Sequence, residues 1–288
     1  MADGSLEPEA FEKMLGQLRP SLHRYCARMV GSAVEGEDVV QEAMAKAALA
    51  YPGAGDIGRP DAWLFRIAHN TALDALRRRK RRPTAVLEGD PGGRADAAEA
   101  RVAAASSLAV LMRLPVAQRA MVVLADVLGH SLEESVELLG VTPAAAKAAL
   151  HRGRERLKIL GPAPEPPRLD SDELASLRAY ADRFNARDFD ALRGLLAEDV
   201  KLDLANRLRL AGKGPVSLYF TRYSESFDWR FEVGLADGRP ALLIRDPAQA
   251  DGPVVYVVLL EWRDGEIAEI RDYRYAPYVL GSLDLTPV

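Results

Sequence analysis

Lys147, His151, Arg154 and Lys158 recur at intervals of three and four residues, with Arg152 and Arg156 beside them. On a helix that spacing gathers the cations on one outward stripe. Such a stripe binds phosphate by charge and hydrogen bonding, with an affinity that falls as salt rises. A second basic cluster, Arg77 to Arg82, closes a segment that also carries Trp63, Arg66 and Asn70 on one helical face. Indole faces stack on unpaired bases, and an Asn amide can bond a base edge. The plainer reading of each cluster is a solvated basic helix end, which also suits the helix dipole.

The elements that must hold these cations are legible. Ser131 with Glu134 forms a capping box, and Leu132, Val136 and Leu139 follow at helical spacing. Gly140 supplies a left-handed stop. Thr142 then caps a second helix with Pro143 in its first turn, and Ala146, Leu150, Gly153 and Leu157 face inward. Two helices with so tight a joint form a helix-turn-helix, the DNA-binding supersecondary unit. Upstream, Pro60 and Asp61 suit a first turn and Pro83 a stop. Leu64, Ile67, Ala68, Thr71, Ala72, Ala75 and Leu76 form the packing face of the helix between them.

Three stretches precede the helix-turn-helix in a definite order: Gly36-Glu-Asp-Val-Val-Gln-Glu-Ala-Met44, Ala62 to Arg77, and Leu114-Pro-Val-Ala-Gln-Arg-Ala120. Together they resemble the extracytoplasmic-function (ECF) sigma factors over roughly residues 8 to 160. The resemblance implies a promoter-specificity subunit of bacterial RNA polymerase, with core polymerase and promoter DNA as partners. On its terms Asp38, Gln41 and Glu42 lie on the polymerase-binding helix, where an exposed carboxylate-rich face suits a basic partner. Trp63, Arg66, Asn70, Arg77, Arg78 and Arg81 engage the minus-ten strand. Thr142, Lys147, His151, Arg152 and Arg154 serve the minus-thirty-five side. The loop Tyr51 to Arg59 sits where the family captures an extruded base, although a Gly-rich connector is its plain reading. The recognition helix departs from the family by opening Ala144-Ala-Ala-Lys-Ala-Ala149. Alanine reads no donor or acceptor, so phosphate contacts and DNA shape must carry that half.

The 288 residues, formal charge of −4 and pI near 5.7 exclude a bulk-basic DNA binder but not local basic patches. Acidic surface elsewhere suits a chain that grips DNA strongly only within a larger complex. The single cysteine, Cys26, excludes internal disulfides and a Cys-rich metal site; its neighbours Leu22 and Met29 predict a buried thiol. No signal pattern or membrane-spanning run is read, which places the chain in the cytoplasm, with no metal and no cofactor expected.

The expected order is a region-two-like helical domain at 1–83, a linker at 84–104, a region-four-like helix-turn-helix domain at 105–160, and a Pro-rich joint at 161–171. Residues 172–288 follow as an α+β domain. Leu174, Leu177, Tyr180, Ala181 and Phe184 stripe one helix, and Phe189 to Leu196 reads as a second. Asp237-Gly238 and Asp264-Gly265 mark hairpin turns between strand patterns. Phe184 to Val200, Gly212-Lys-Gly214 and the ending Arg271-Asp-Tyr-Arg-Tyr275 resemble the SnoaL-like, nuclear-transport-factor-two-like superfamily. That likeness implies a cone with a curved antiparallel sheet, fused to two all-α domains as a regulator. Asp203, Tyr256, Asp272 and Tyr273 are its candidate pocket residues, for a small-molecule or intramolecular ligand. The main reading is non-catalytic. The alternatives are a polymerase-independent helix-turn-helix regulator and a fused cyclase- or isomerase-like enzyme, the latter without His, since none follows His151.

Overall fold

A computed structural model describes residues 8–53, 57–81, 108–160, 171–249 and 252–288. The linker expected at 84–104 and nearly all of the joint at 161–171 lie outside them. The chain divides into two compact units, Met1–Glu165 and Pro166–Val288.

The first unit is helical. Helix α1 spans Pro8–Val30, α2 Ala33–Ala50 and α3 Pro60–Arg81. Gly31, at φ 81, turns the chain between the first two, and Ser32 caps α2 by accepting from the Glu35 amide. The two helices pack closely at Gly36, where a Cβ would stand 2.6 Å from the Ala27 backbone. After α3 come α4 (Leu108–Met112), α5 (Val116–Val122), a π turn over Val123–Val127, α6 (Leu132–Leu139) and α7 (Pro143–Ile159). Leu22, Tyr25, Cys26, Met29, Val40, Leu64 and Phe65 form a core continuous with Leu111, Val122, Leu124, Leu138 and Leu157. At about 1.5–3 kcal/mol per fully buried large side chain, that shared core is what holds α1–α3 and α4–α7 as one body. Cys26 is fully buried in it, and desolvation pushes its thiol well above the ordinary range.

The second unit is α+β. Helices α8 (Ser171–Asn185), α9 (Phe189–Gly194) and α10 (Lys213–Ser224) accompany seven strands. These are β1 (Leu196–Leu204), β2 (Leu208–Ala211), β3 (Arg230–Ala236), β4 (Arg239–Arg245), β5 (Tyr256–Arg263), β6 (Glu266–Asp272) and β7 (Leu285–Pro287). Their order is β2-β1-β6-β5-β4-β3-β7. Both expected hairpins form on two-residue turns with positive φ at Asp237, Gly238, Asp264 and Gly265, the backbone that favours Asp-Gly.

The sheet expected as antiparallel is so in five of its six pairings; β1 and β6 pair in parallel, making the sheet mixed. The hairpin β5–β6 leaves β6 with a free edge, and β1, far earlier in the chain, fills it running the same way. No local signal records such a crossover. One face of the sheet packs on the helices around Phe184, which stacks on Phe231 at 3.9 Å and meets Phe189, Tyr223 and Trp229 edge-on.

Candidate functional site

In the helix-turn-helix, Ser131 and Glu134 cap each other, with the Glu134 amide donating to Ser131 Oγ at 3.1 Å and the Ser131 amide to Glu134 Oε2 at 2.7 Å. Gly140 is left-handed at φ 65. Thr142 Oγ1 accepts from the Ala145 amide at 3.3 Å, so its hydroxyl serves first as an N-cap. Ala146, Ala149, Gly153 and Leu157 form the buried stripe of α7; Leu150 is half-buried. A Cβ on Gly153 would stand 2.7 Å from Val122 Cγ2, so only glycine lets α7 approach α5 this closely. The opposite face exposes Lys147, His151, Arg152 and Arg154. Lys147, Leu150, His151, Arg154, Glu155 and Lys158 line a shallow concavity of about 260 Å³. Arg154 is not free: both Asp126 oxygens accept from it, which raises its already high pKa.

On α3, Arg66, Asn70, Arg77, Arg78 and Arg81 are exposed. Trp63 is not the exposed stacker expected: it is half-buried, packed on the core beside Phe11 at 6.4 Å between ring centres. Phe11 also stacks on Tyr51 at 3.9 Å, which anchors the start of the Tyr51–Arg59 loop; residues 54–56 of that loop lie outside the described residues. Arg77 pairs with Asp74 at 2.9 Å and Arg78 with Glu42 at 2.8 Å. The last pair joins a residue expected on DNA to one expected on polymerase. Burial lifts the Glu42 carboxyl, but Arg78 and Lys46 outweigh it and leave its pKa below the usual value. Asp38, Gln41 and Glu42 are half-buried along α2. Glu37, next to Asp38 in sequence, is buried against Arg19.

In the second unit the decisive group is Asp272, the last residue of β6 and wholly buried. Its Oδ2 accepts from the Tyr219 and Tyr223 hydroxyls at 3.0 and 2.7 Å, and its Oδ1 from the Arg274 amide at 2.7 Å. The Tyr256 hydroxyl lies 3.1 Å from that of Tyr223 and can donate to it, the one Tyr223 proton being committed to Asp272. Arg274 donates to Tyr256 at 3.3 Å, lies over the Tyr223 and Tyr256 rings, and grips both oxygens of Asp228. Desolvation raises the Asp272 pKa against the pull of these donors. The Tyr180 hydroxyl is buried close enough to feel that carboxylate and has no hydrogen-bond partner among the described residues. A cavity of about 100 Å³ opens onto the cluster, lined by Tyr219, Arg222, Tyr223, Ser226, Asp272 and Arg274 among others.

The structure thus brings Tyr256 and Asp272 into one hydrogen-bonded cluster, although of the four pocket candidates only Asp272 lines the cavity. Asp203 points to the opposite sheet face: it pairs across β1–β6 with Arg271, whereas Leu204 pairs with Asp272, and its carboxylate is held by Arg209. Tyr273 is buried but does not line the cavity. Tyr219, Tyr223 and Arg274 were missed. The i,i+4 tyrosines of Tyr219-x-x-x-Tyr223 were the available signal, once 213–224 is recognised as a helix.

Residues 14–82 match the family description Sigma-70 region 2, and residues 108–157 match Sigma-70, region 4. The ECF RNA polymerase sigma factor SigM of Mycobacterium tuberculosis is 38% identical over 157 residues, covering 53% of this chain and 78% of that protein. The chain belongs to the ECF sigma factor family. SigW of Bacillus subtilis, another ECF sigma factor, is 30% identical over 169 residues, covering 53% of this chain and 89% of its own. The structure of M. tuberculosis SigJ aligns over 91% of this chain and 95% of that one, at 22% identity and a TM-score of 0.37. Polyketide-cyclase-like and isomerase-like structures cover 35–38% of the chain at TM-scores of 0.28–0.29. Scores this low carry no argument, and the α+β architecture of this sigma factor's second unit rests on its own strand order. As a sigma factor the chain binds core RNA polymerase and recognises promoter DNA to start transcription. No helix among the described residues is long and apolar enough to cross a membrane.

Proposed function

We propose that α3 and α7 are the two promoter-facing helices of this sigma factor, and that its second unit regulates it by binding rather than by catalysis. The observation that carries the first part is the pair of exposed basic faces, each backed by a packed apolar face. Arg66, Asn70, Arg77, Arg78 and Arg81 serve the minus-ten side, with Trp63 as the packed base of that surface. Thr142, Lys147, His151, Arg152 and Arg154 serve the upstream side, and Asp38, Gln41 and Glu42 of α2 the polymerase. The functional halves correspond to 1–83 and 105–160, with the regulator at 172–288. The site of action is the cytoplasm, where polymerase and chromosome meet.

For the second unit, the saturation of Asp272 favours a binding role. Both of its oxygens already accept hydrogen bonds from Tyr219, Tyr223 and the Arg274 amide. A general base needs a lone pair within reach of its substrate, and Asp272 is wholly buried with both oxygens already engaged. The cavity beside Arg222 and Arg274 suits a small, polar, hydrogen-bonding ligand, for which the chain needs no cofactor. Promoter-complex formation by purified holoenzyme tests the first part. Arg66→Ala and Asn70→Ala should slow strand opening more than initial binding, and equal losses in both steps would count against the assignment. Turnover of any cavity ligand by the full chain would replace the binding reading with the enzymatic one.

A further inference from the structure

In the cavity beside Asp272 the acceptors are spent and the donors are not. Asp272 is the one carboxyl in the lining, and both of its oxygens accept from Tyr219, Tyr223 and the Arg274 amide. Ser226 Oγ, also in the lining, accepts from the Trp229 indole at 3.0 Å. Arg222 is different. It is exposed at the cavity, and its guanidinium makes no ion pair or hydrogen bond among the described residues. Arg207 is likewise exposed with no ion pair among them, its guanidinium 4.4 Å from the centre of the Tyr275 ring, another wall of the cavity. A ligand here need bring no donor; it must bring acceptors.

Arg274 shows which acceptor fits. It grips both oxygens of Asp228 at 3.0 and 2.8 Å, although that carboxylate is 64% exposed. Three guanidiniums thus gather around one opening in a chain whose formal charge is −4, and Asp228 offsets only one of them. A cleft rimmed by one sign of charge and walled by apolar groups concentrates ions of the opposite sign. The walls here are Leu204 and the rings of Tyr219, Tyr223 and Tyr275. An inorganic anion has nothing to offer such walls. A carboxylate offers a planar pair of acceptors that matches a guanidinium fork, and a carbon end for the rings. The volume of about 100 Å³ equals roughly three waters at ~30 Å³ each, so the ligand enclosed has only about five non-hydrogen atoms.

We propose that this cavity binds a small organic carboxylate, with its charge at Arg222 and Arg274 and its carbon end against Leu204 and the tyrosine rings. The proposal rests on the binding role given to the second unit above and names the chemical class of its ligand. Asp228 competes for Arg274 and so sets how tightly the carboxylate is held.

The test titrates the full chain with propionate, which is of this size, and with propionamide, its uncharged isostere. The backbone amide signals of Ser226 and Arg274 report binding by NMR. A ligand this small should bind in roughly the millimolar range. Propionamide should bind about fivefold more weakly or less. Arg222→Gln should weaken propionate about three- to fivefold, Arg222→Lys should restore part of the loss, and Asp228→Asn should tighten binding about two- to threefold. Arg222 is exposed and unpartnered, so its variants remove nothing that the fold depends on. Inorganic phosphate binding as tightly as propionate would overturn the organic class. Propionamide binding as well as propionate, or an affinity indifferent to both Arg222→Gln and Asp228→Asn, would overturn the carboxylate and leave the binding role standing. A chain that answers to neither compound would overturn the carboxylate and count against the binding role as well.

Discussion

At the scale of single residues, charge and burial decide what each group can do. Arg152 is exposed on α7 and no ion pair neutralises it among the described residues, whereas Arg154 is engaged by Asp126. Arg152→Ala should therefore weaken promoter binding in a salt-dependent way, lowering the slope of log affinity against log salt by about 0.9 per lost phosphate contact. An unchanged slope in a binding titration would remove Arg152 from the DNA face. Asp272 makes the opposite case, a carboxyl whose folded pKa is raised by desolvation. Its protonated form is favoured by the fold, so this contribution to stability is complete below the unfolded pKa of about 3.9 and is lost as pH rises through the folded pKa. Relative to Asp272→Asn, the wild type should gain stability as pH falls through the raised folded pKa towards about 3.9, read by hydrogen exchange in β5 and β6. A constant difference across that range would contradict the buried environment described for this carboxyl. Tyr223→Phe leaves Asp272 short of one donor and should cost about 1–3 kcal/mol of unfolding free energy.

At the scale of elements, local chemistry was legible and long-range pairing was not. The capping box at Ser131, the left-handed Gly140, the Thr142 cap and both Asp-Gly hairpins each depend on a few adjacent residues, and each stands where its sequence predicts. The parallel pairing of β1 with β6, the face on which Asp203 points, and the ring of tyrosines around Asp272 depend on residues tens of positions apart. Trp63 shows the same limit: helical spacing placed it off the main packing stripe, but the aromatic ring of Phe11, on another helix, covers it. Gly153 offers an element-scale test, because two local effects oppose each other. Alanine gains about 1 kcal/mol of helix propensity, but its Cβ would stand 2.7 Å from Val122 Cγ2. Overpacking costs about 1–3 kcal/mol, so Gly153→Ala should lower the unfolding midpoint; a raised midpoint would mean that α5 and α7 are not held as closely as described.

At the scale of the whole molecule, a chain with a formal charge of −4 still presents exposed cations on two helix faces, α3 and α7, and covers part of them with its own acids. Glu42 and Asp126 each hold an arginine expected on DNA, Arg78 and Arg154. That arrangement fits a sigma factor whose grip on promoter DNA depends on first joining polymerase, and its cavity-bearing second unit gives regulation a place to act. The most direct measurement is run-off transcription with bacterial core polymerase on a pooled promoter library, comparing the full chain with the variant Arg66→Ala, Asn70→Ala, Arg152→Ala. The account predicts sequence-selective transcripts from the full chain and their loss in the triple variant with core binding retained. Equal transcription by the two chains would contradict the assignment of α3 and α7 as the helices that read the promoter.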